Sequence, residues 1–192
     1  MKTFKYYNFI NYCEGLVEGF LKFFLKKLKI YVKRVNMKVI YDIDCLLFFL
    51  KIGRADLLEE ECDKIIISNK IFNSLNNPSI SDFIKDQLRG LVDEGFVKVE
   101  EISLNTKTFD IYYELINEHK NQILGDGEAS SIAIAIKNQG TIAYNNPSAI
   151  SEYLEKYNLK CITLEDIINS LYKNEKISKK EFEDLLNKSK QV

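Results

Sequence analysis

The chain predicts an α/β fold: a three-layer α/β/α sandwich with a central, mostly parallel sheet of about five strands. Three observations predict it. From Met37 onward, short apolar runs alternate with longer amphipathic stretches, the pattern of a parallel sheet covered by helices. The runs KVIYDI and KIIIS read as buried strands. At 192 residues the chain has enough length for one well-buried core and too little for two comfortable ones.

Residues 1–36 differ from the rest. Between Phe9 and Val35 apolar residues recur at helical spacing, with Lys22, Lys26, Lys27, Lys29, Lys33 and Arg34 on the opposite face, so an amphipathic helical extension is expected. Charges interrupt it too often for a membrane span. Three roles stay open: docking on its own domain or on a second copy, contact with an anionic membrane surface, or an extension ahead of a natural start at Met37. Residues 37–192 are expected to form the α/β domain.

Within that domain Lys38 to Ile43 is the first strand, and Cys45 to Cys62 is helical material broken near Gly53. Lys64 to Ser68 follows as a second strand, then a short helix from Asn69 to about Leu75 that stops before Pro78. Ser81 opens a helix carrying Phe83, Ile84, Leu88, Leu91 and Val92, closed by Gly95. Phe96 to Ile102 is the third strand, and Phe109 to His119 a helix. Gly125 and Gly127 mark the turn into a helix from Glu128 to Lys137, and TIAYN (141–145) is the fourth strand. A helix over Ser148 to Tyr157 leads to a short fifth strand, Leu159 to Ile162. Two closing helices are capped by Thr163 and Ser178, the second by a capping box with Glu181.

Composition narrows the function classes. Hydrophobic residues at 46% and charged residues at 29% fit a globular protein and exclude disorder and a polytopic membrane protein. A net charge of -1 excludes holding nucleic acid by overall charge, so any such contact has to be local. Cys13, Cys45, Cys62 and Cys161 are scattered in apolar surroundings without zinc-site or disulfide spacing, and read as reduced core residues. With no export signal, that usage implies a cytoplasmic protein. His119, the only histidine, lies in a polar stretch and reads as a solvated surface residue.

In an open parallel sheet, ligands bind beyond the carboxyl ends of the strands. Asp42 ends a wholly apolar strand, where burying a carboxylate is costly unless it is paired or binds a cation. Its other reading is a cap on the following helix, a role that Asp44 fits better. Glu128 opens a helix whose Ala129, Ala133 and Ala135 permit close approach to the sheet, so Asp42 and Glu128 are expected to converge. Such carboxylates suit a hard divalent cation, which can activate water and stabilise charge on a phosphodiester.

The segment VIYDIDCLLFFLKIGRADLL resembles the opening of PIN domains, and LGDGEASSIAIAIKNQGTIAYNN resembles a later PIN segment. LEKYNLKCITLEDIINSLYKNEKIS is similar to the family's last strand and helix. The resemblance spans nearly all of Met37 to Lys188 and leaves out the first 36 residues. It implies a Mg2+- or Mn2+-dependent ribonuclease similar to the toxins of toxin-antitoxin pairs, with RNA as substrate, an antitoxin partner and a homodimer. It places Asp42 at the first metal-binding aspartate, Asp44 at a position often Asn, Ser or Asp, and Glu128 at the acidic residue of the Ala-rich helix, with Asp126 close by. Two departures stand out. Ser74 occupies the usual glutamate position after the second strand, and Asn145 and Asn146 stand where an aspartate often follows the fourth. A catalytically degenerate module that binds RNA or protein is the alternative.

Overall fold

A computed structural model describes residues 38–117 and 124–190; the expected helix between Phe9 and Val35, Cys13 and His119 lie outside the described residues. The strands β1 (Val39–Tyr41), β2 (Ile65–Ser68), β3 (Val97–Glu100), β4 (Thr141–Ala143) and β5 (Lys160–Ile162) form one sheet in the order β3-β2-β1-β4-β5. Every neighbouring pair is parallel. The helices are α1 (Ile43–Lys51), α2 (Asp56–Glu61), α3 (Asn69–Leu75), α4 (Asp82–Asp93), α5 (Lys107–Asn117), α6 (Asp126–Asn138), α7 (Ser151–Lys156), α8 (Leu164–Lys173) and α9 (Lys179–Ser189). The α/β/α sandwich expected from the sequence is the fold observed.

Side-chain alternation along the strands assigns the two helical layers. Val39, Tyr41, Ile65, Ile67 and Ala143 pack with Leu46 and Phe49 of α1, Leu57 of α2, Leu88 of α4 and Leu171 of α8. The residues between them in sequence, Ile40, Ile66 and Ile142, pack on the other face with Leu115 of α5, Ile132 and Ala133 of α6, and Tyr153 of α7. Because successive strand residues point to opposite faces, Asp42, Ser68 and Tyr144 fall on the α6 side of the sheet. Ala129, Ala133 and Ala135 are fully buried, so α6 lies directly on the strands. Gly140, just before β4, is required by the same close packing: a Cβ there would sit 2.5 Å from Ile40 Cδ1 and 2.8 Å from the Lys38 carbonyl.

Element boundaries follow local chemistry. α1 stops at a Schellman motif, in which Gly53 N–H donates to Leu50 O and Arg54 N–H to Phe49 O. Gly53 supplies the required left-handed conformation at φ +66°, which accounts for the break expected near this residue. Two expectations are corrected. β1 ends at Tyr41, because Asp42 already holds the extended backbone of an N-cap for α1 (φ -74°, ψ 160°); the cap position is therefore not Asp44, which lies inside the helix. The stretch 148–157 is not one helix: Pro147 opens a 3-10 turn (Pro147–Ile150), and α7 begins only at Ser151.

Candidate acidic site at the sheet switch point

The strand order reverses direction between β1 and β4, the place where an open parallel sheet leaves a crevice beyond its carboxyl ends. Asp42 follows β1 and Tyr144 follows β4 at that crevice, and the Asp42 amide is pinned to Ala143 O at 3.0 Å. α6 starts above it, with Glu128 in its first turn.

Asp42 is only 2% exposed. Its position at the start of α1 invites a capping role, yet its side chain makes no capping hydrogen bond. Oδ1 is buried without any hydrogen-bond partner. Burial pushes the carboxyl up from its ordinary 3.8 to about 7, with further upward pushes from the charges of Asp44 and Glu128; the backbone amides of Ile43 and Asp44 pull it partly back.

Glu100, at the end of β3, is the instructive contrast. It is also buried, and burial pushes its carboxyl up, but hydrogen bonds from Lys137 (2.6 Å) and Asn138 (3.2 Å) and the Lys98 charge outweigh that and hold it below the usual range. One buried carboxylate at the tips of the sheet thus has its cation built in. Asp42 has carboxylate neighbours instead.

Glu128 is half-buried and held at both oxygens. Oε2 accepts the Gly125 amide at 2.8 Å, fixing the side chain over the helix start, and Oε1 accepts the Tyr144 hydroxyl. Tyr144 is 4% exposed. Its phenol is pushed well up by burial, by the hydrogen bond and charge of Glu128, and by the charges of Asp42 and Asp44. These couplings bring Asp42, Asp44, Glu128 and Tyr144 into one electrostatic unit, with Asp44 on its exposed rim.

The remaining sequence-derived candidates make other contacts or lie nearer the surface. Asp126 is 67% exposed, accepting the Tyr112 hydroxyl at 2.9 Å with Lys70 Nζ at 3.8 Å. Ser74 is exposed on α3, and its hydroxyl donates back to Lys70 O at 2.9 Å within its own helix. Asn145 is half-buried and Asn146 exposed, both beyond Tyr144 on the way into the 3-10 turn.

Beside the acidic unit, the tips of β2 and α6 are tied by hydroxyls. Ser68 caps α3 by accepting the Ile71 amide at 3.1 Å and lies 2.7 Å from Ser130 Oγ, which in turn donates to Gly127 O at 2.6 Å. Both serines are fully buried. At the adjacent Asn69, Oδ1 is a second buried oxygen without a hydrogen-bond donor. Sequence reasoning passed over Tyr144, Ser130 and Glu100. The available signal was strand alternation, which sets Tyr144 two residues after Ile142 and therefore on the face of α6 and Glu128.

A divalent cation can be tested against these side chains directly. Among the described residues no group of three or more His, Cys, Asp or Glu is placed to hold a metal. A pair is present, Asp42 and Glu128, and the unpartnered Asp42 Oδ1 is an acceptor aimed at no donor. Few carboxylates completed by water is the coordination that magnesium takes, so the residues present fit a hard cation with little protein charge around it.

A parallel sheet in this order, sandwiched by helices and carrying acidic residues at its switch point, defines an α/β/α sandwich with an acidic crevice. A family model described as PIN domain matches residues 38–191. The chain belongs to the PIN-domain family. No curated protein matches it. Among the described residues no helix is long and apolar enough to cross a membrane.

Proposed function

We propose that this chain is a Mg2+- or Mn2+-dependent ribonuclease of PIN type, with residues 37–192 as the catalytic unit and residues 1–36 as an extension. The observation that carries the reading is Asp42: a buried carboxylate with an unpartnered oxygen, surrounded by further carboxylates rather than by lysines. Such a group is unfavourable alone and becomes favourable when a cation arrives. Asp42 and Glu128 would hold the ion, with Asp44 adding negative charge at the rim. The bound cation would supply activation of water and neutralisation of charge on an RNA phosphodiester.

The chain's own residues perform the remaining work. Gly125 and Tyr144 orient Glu128, and the buried face of α6 holds it over the end of β1. Asp126, close to Glu128 in sequence, would assist from the helix start, where it is bonded to Tyr112 and beside Lys70. PIN membership supports RNA as substrate and an antitoxin protein as partner; a homodimer and a cytoplasmic setting belong to the same proposal, the latter from the scattered cysteine usage of the sequence. The test is cleavage of RNA by the purified chain with Mg2+ or Mn2+, abolished by chelation and by Asp42→Asn. Activity unchanged in that variant ends the reading.

A second reading, a degenerate PIN fold that binds RNA or protein without cutting, is favoured by Ser74, whose short side chain turns back on Lys70 O where the family places a carboxylate. Calorimetric titration with Mn2+ separates the two. Binding that disappears in Asp42→Asn supports the nuclease; no heat in the wild type supports the degenerate module.

A further inference from the structure

The acidic unit contains a group that carries no charge and holds a charged one in place. Tyr144 is rooted in the sheet: its amide donates to Ile162 O at 2.9 Å, and its ring is buried in the core cluster that contains Ile40, Ile142 and Ile150. A phenol so anchored has a fixed hydroxyl. That hydroxyl donates to Glu128 Oε1, while the Gly125 amide takes Oε2, so the carboxylate is held from both ends. Each carboxylate oxygen has two acceptor directions, so one remains free on each after these bonds.

We infer that Tyr144 is a positioning residue for cation binding: its hydroxyl fixes the free acceptor directions of Glu128 within electrostatic reach of Asp42. This rests on the metal-dependent reading above. The physical reason is that a glutamate side chain has several rotamers and would otherwise swing out to solvent, away from the like charge of Asp42. A buried donor on Oε1 removes that freedom before the ion arrives, so less ordering is left to be done on binding. Partners that hydrogen-bond a ligating carboxylate typically contribute 10–100-fold to metal affinity. Among the described residues Asp42 and Glu128 have only the exposed Asp44 to add negative charge, so little is left with which to compensate.

The test uses the full chain and Mn2+ alone. Mn2+ affinity is measured by calorimetry and by the paramagnetic signal of free Mn2+ for the wild type and for Tyr144→Phe, with thermal melts of both in chelator. Phe keeps the ring in the core, so the melting midpoint is expected within a few degrees of wild type while Mn2+ affinity falls 10–100-fold. Wild-type binding with equal or tighter binding in Tyr144→Phe overturns the inference and leaves the nuclease reading standing. A collapsed midpoint in chelator also overturns it, by assigning the hydroxyl to the fold. If the wild type binds no Mn2+, the metal-dependent reading itself falls, and the positioning role falls with it.

Discussion

Replacing Asp42 by Asn should stabilise the protein, and increasingly so as pH rises. Raising the carboxyl from 3.8 to about 7 amounts, at about 1.4 kcal/mol per pH unit, to roughly 4 kcal/mol. The sign follows from linkage. Below pH 3.8 the group is protonated in both states and costs nothing. Between 3.8 and 7 the folded chain keeps a proton that the unfolded chain has released, so stability falls as pH rises, and above about 7 the whole penalty is present. Asn is neutral throughout and nearly isosteric, so it escapes this loss. Urea unfolding in chelator at pH 5 and pH 8 reads the effect directly. The Asn variant's advantage should grow by about 2–3 kcal/mol between the two, that being the part of the window still to be crossed above pH 5. Mn2+ at pH 8 should then stabilise the wild type and leave the variant unmoved. Parallel pH profiles for the two proteins would refute the reasoning, because they would mean that Asp42 is not a destabilised carboxylate.

Other expectations follow from the same geometry. Ser74→Glu places a carboxylate where the resemblance to PIN domains implies one, on an exposed face of α3 that accommodates it; Mn2+ affinity should rise on the order of tenfold, and calorimetry reading no gain would show that α3 does not face the ion. Gly140→Ala forces a methyl against Ile40 Cδ1 and the Lys38 carbonyl, and should cost about 1–3 kcal/mol in urea unfolding. A wild-type unfolding midpoint for that variant would show that β1 and the end of α6 are less tightly packed than described.

The layered architecture was legible from Met37 onward because parallel strands and amphipathic helices leave different periodicities in the chain. Asp42 and Glu128 were legible for a similar reason: each is an acid set against an apolar or small-residue background. Asp126 was harder to place. It sits two residues before Glu128 on the same helix, and at 3.6 residues per turn those side chains leave the axis about 200° apart, so both cannot face the strand tips. Asp44 illustrates the same limit at the other edge, since the backbone turns from extended to helical between it and Tyr41. Tyr144 escaped because an aromatic in a strand reads as core filling. It does fill the core, and only its hydroxyl reaches the acid. Glu100 gives no local signal in the sequence, because the partners that satisfy it in the buried position, Lys137 and Asn138, are distant in the chain.

The hydroxyl chain from Ser68 through Ser130 to Gly127 has one more implication. It bolts the first turn of α6 to the strand beside β1, so the mounts of Asp42 and Glu128 behave as a single bracket whose jaws have a preset opening. Loosening that link, as Ser130→Ala would, should therefore disturb both mounts together rather than one alone.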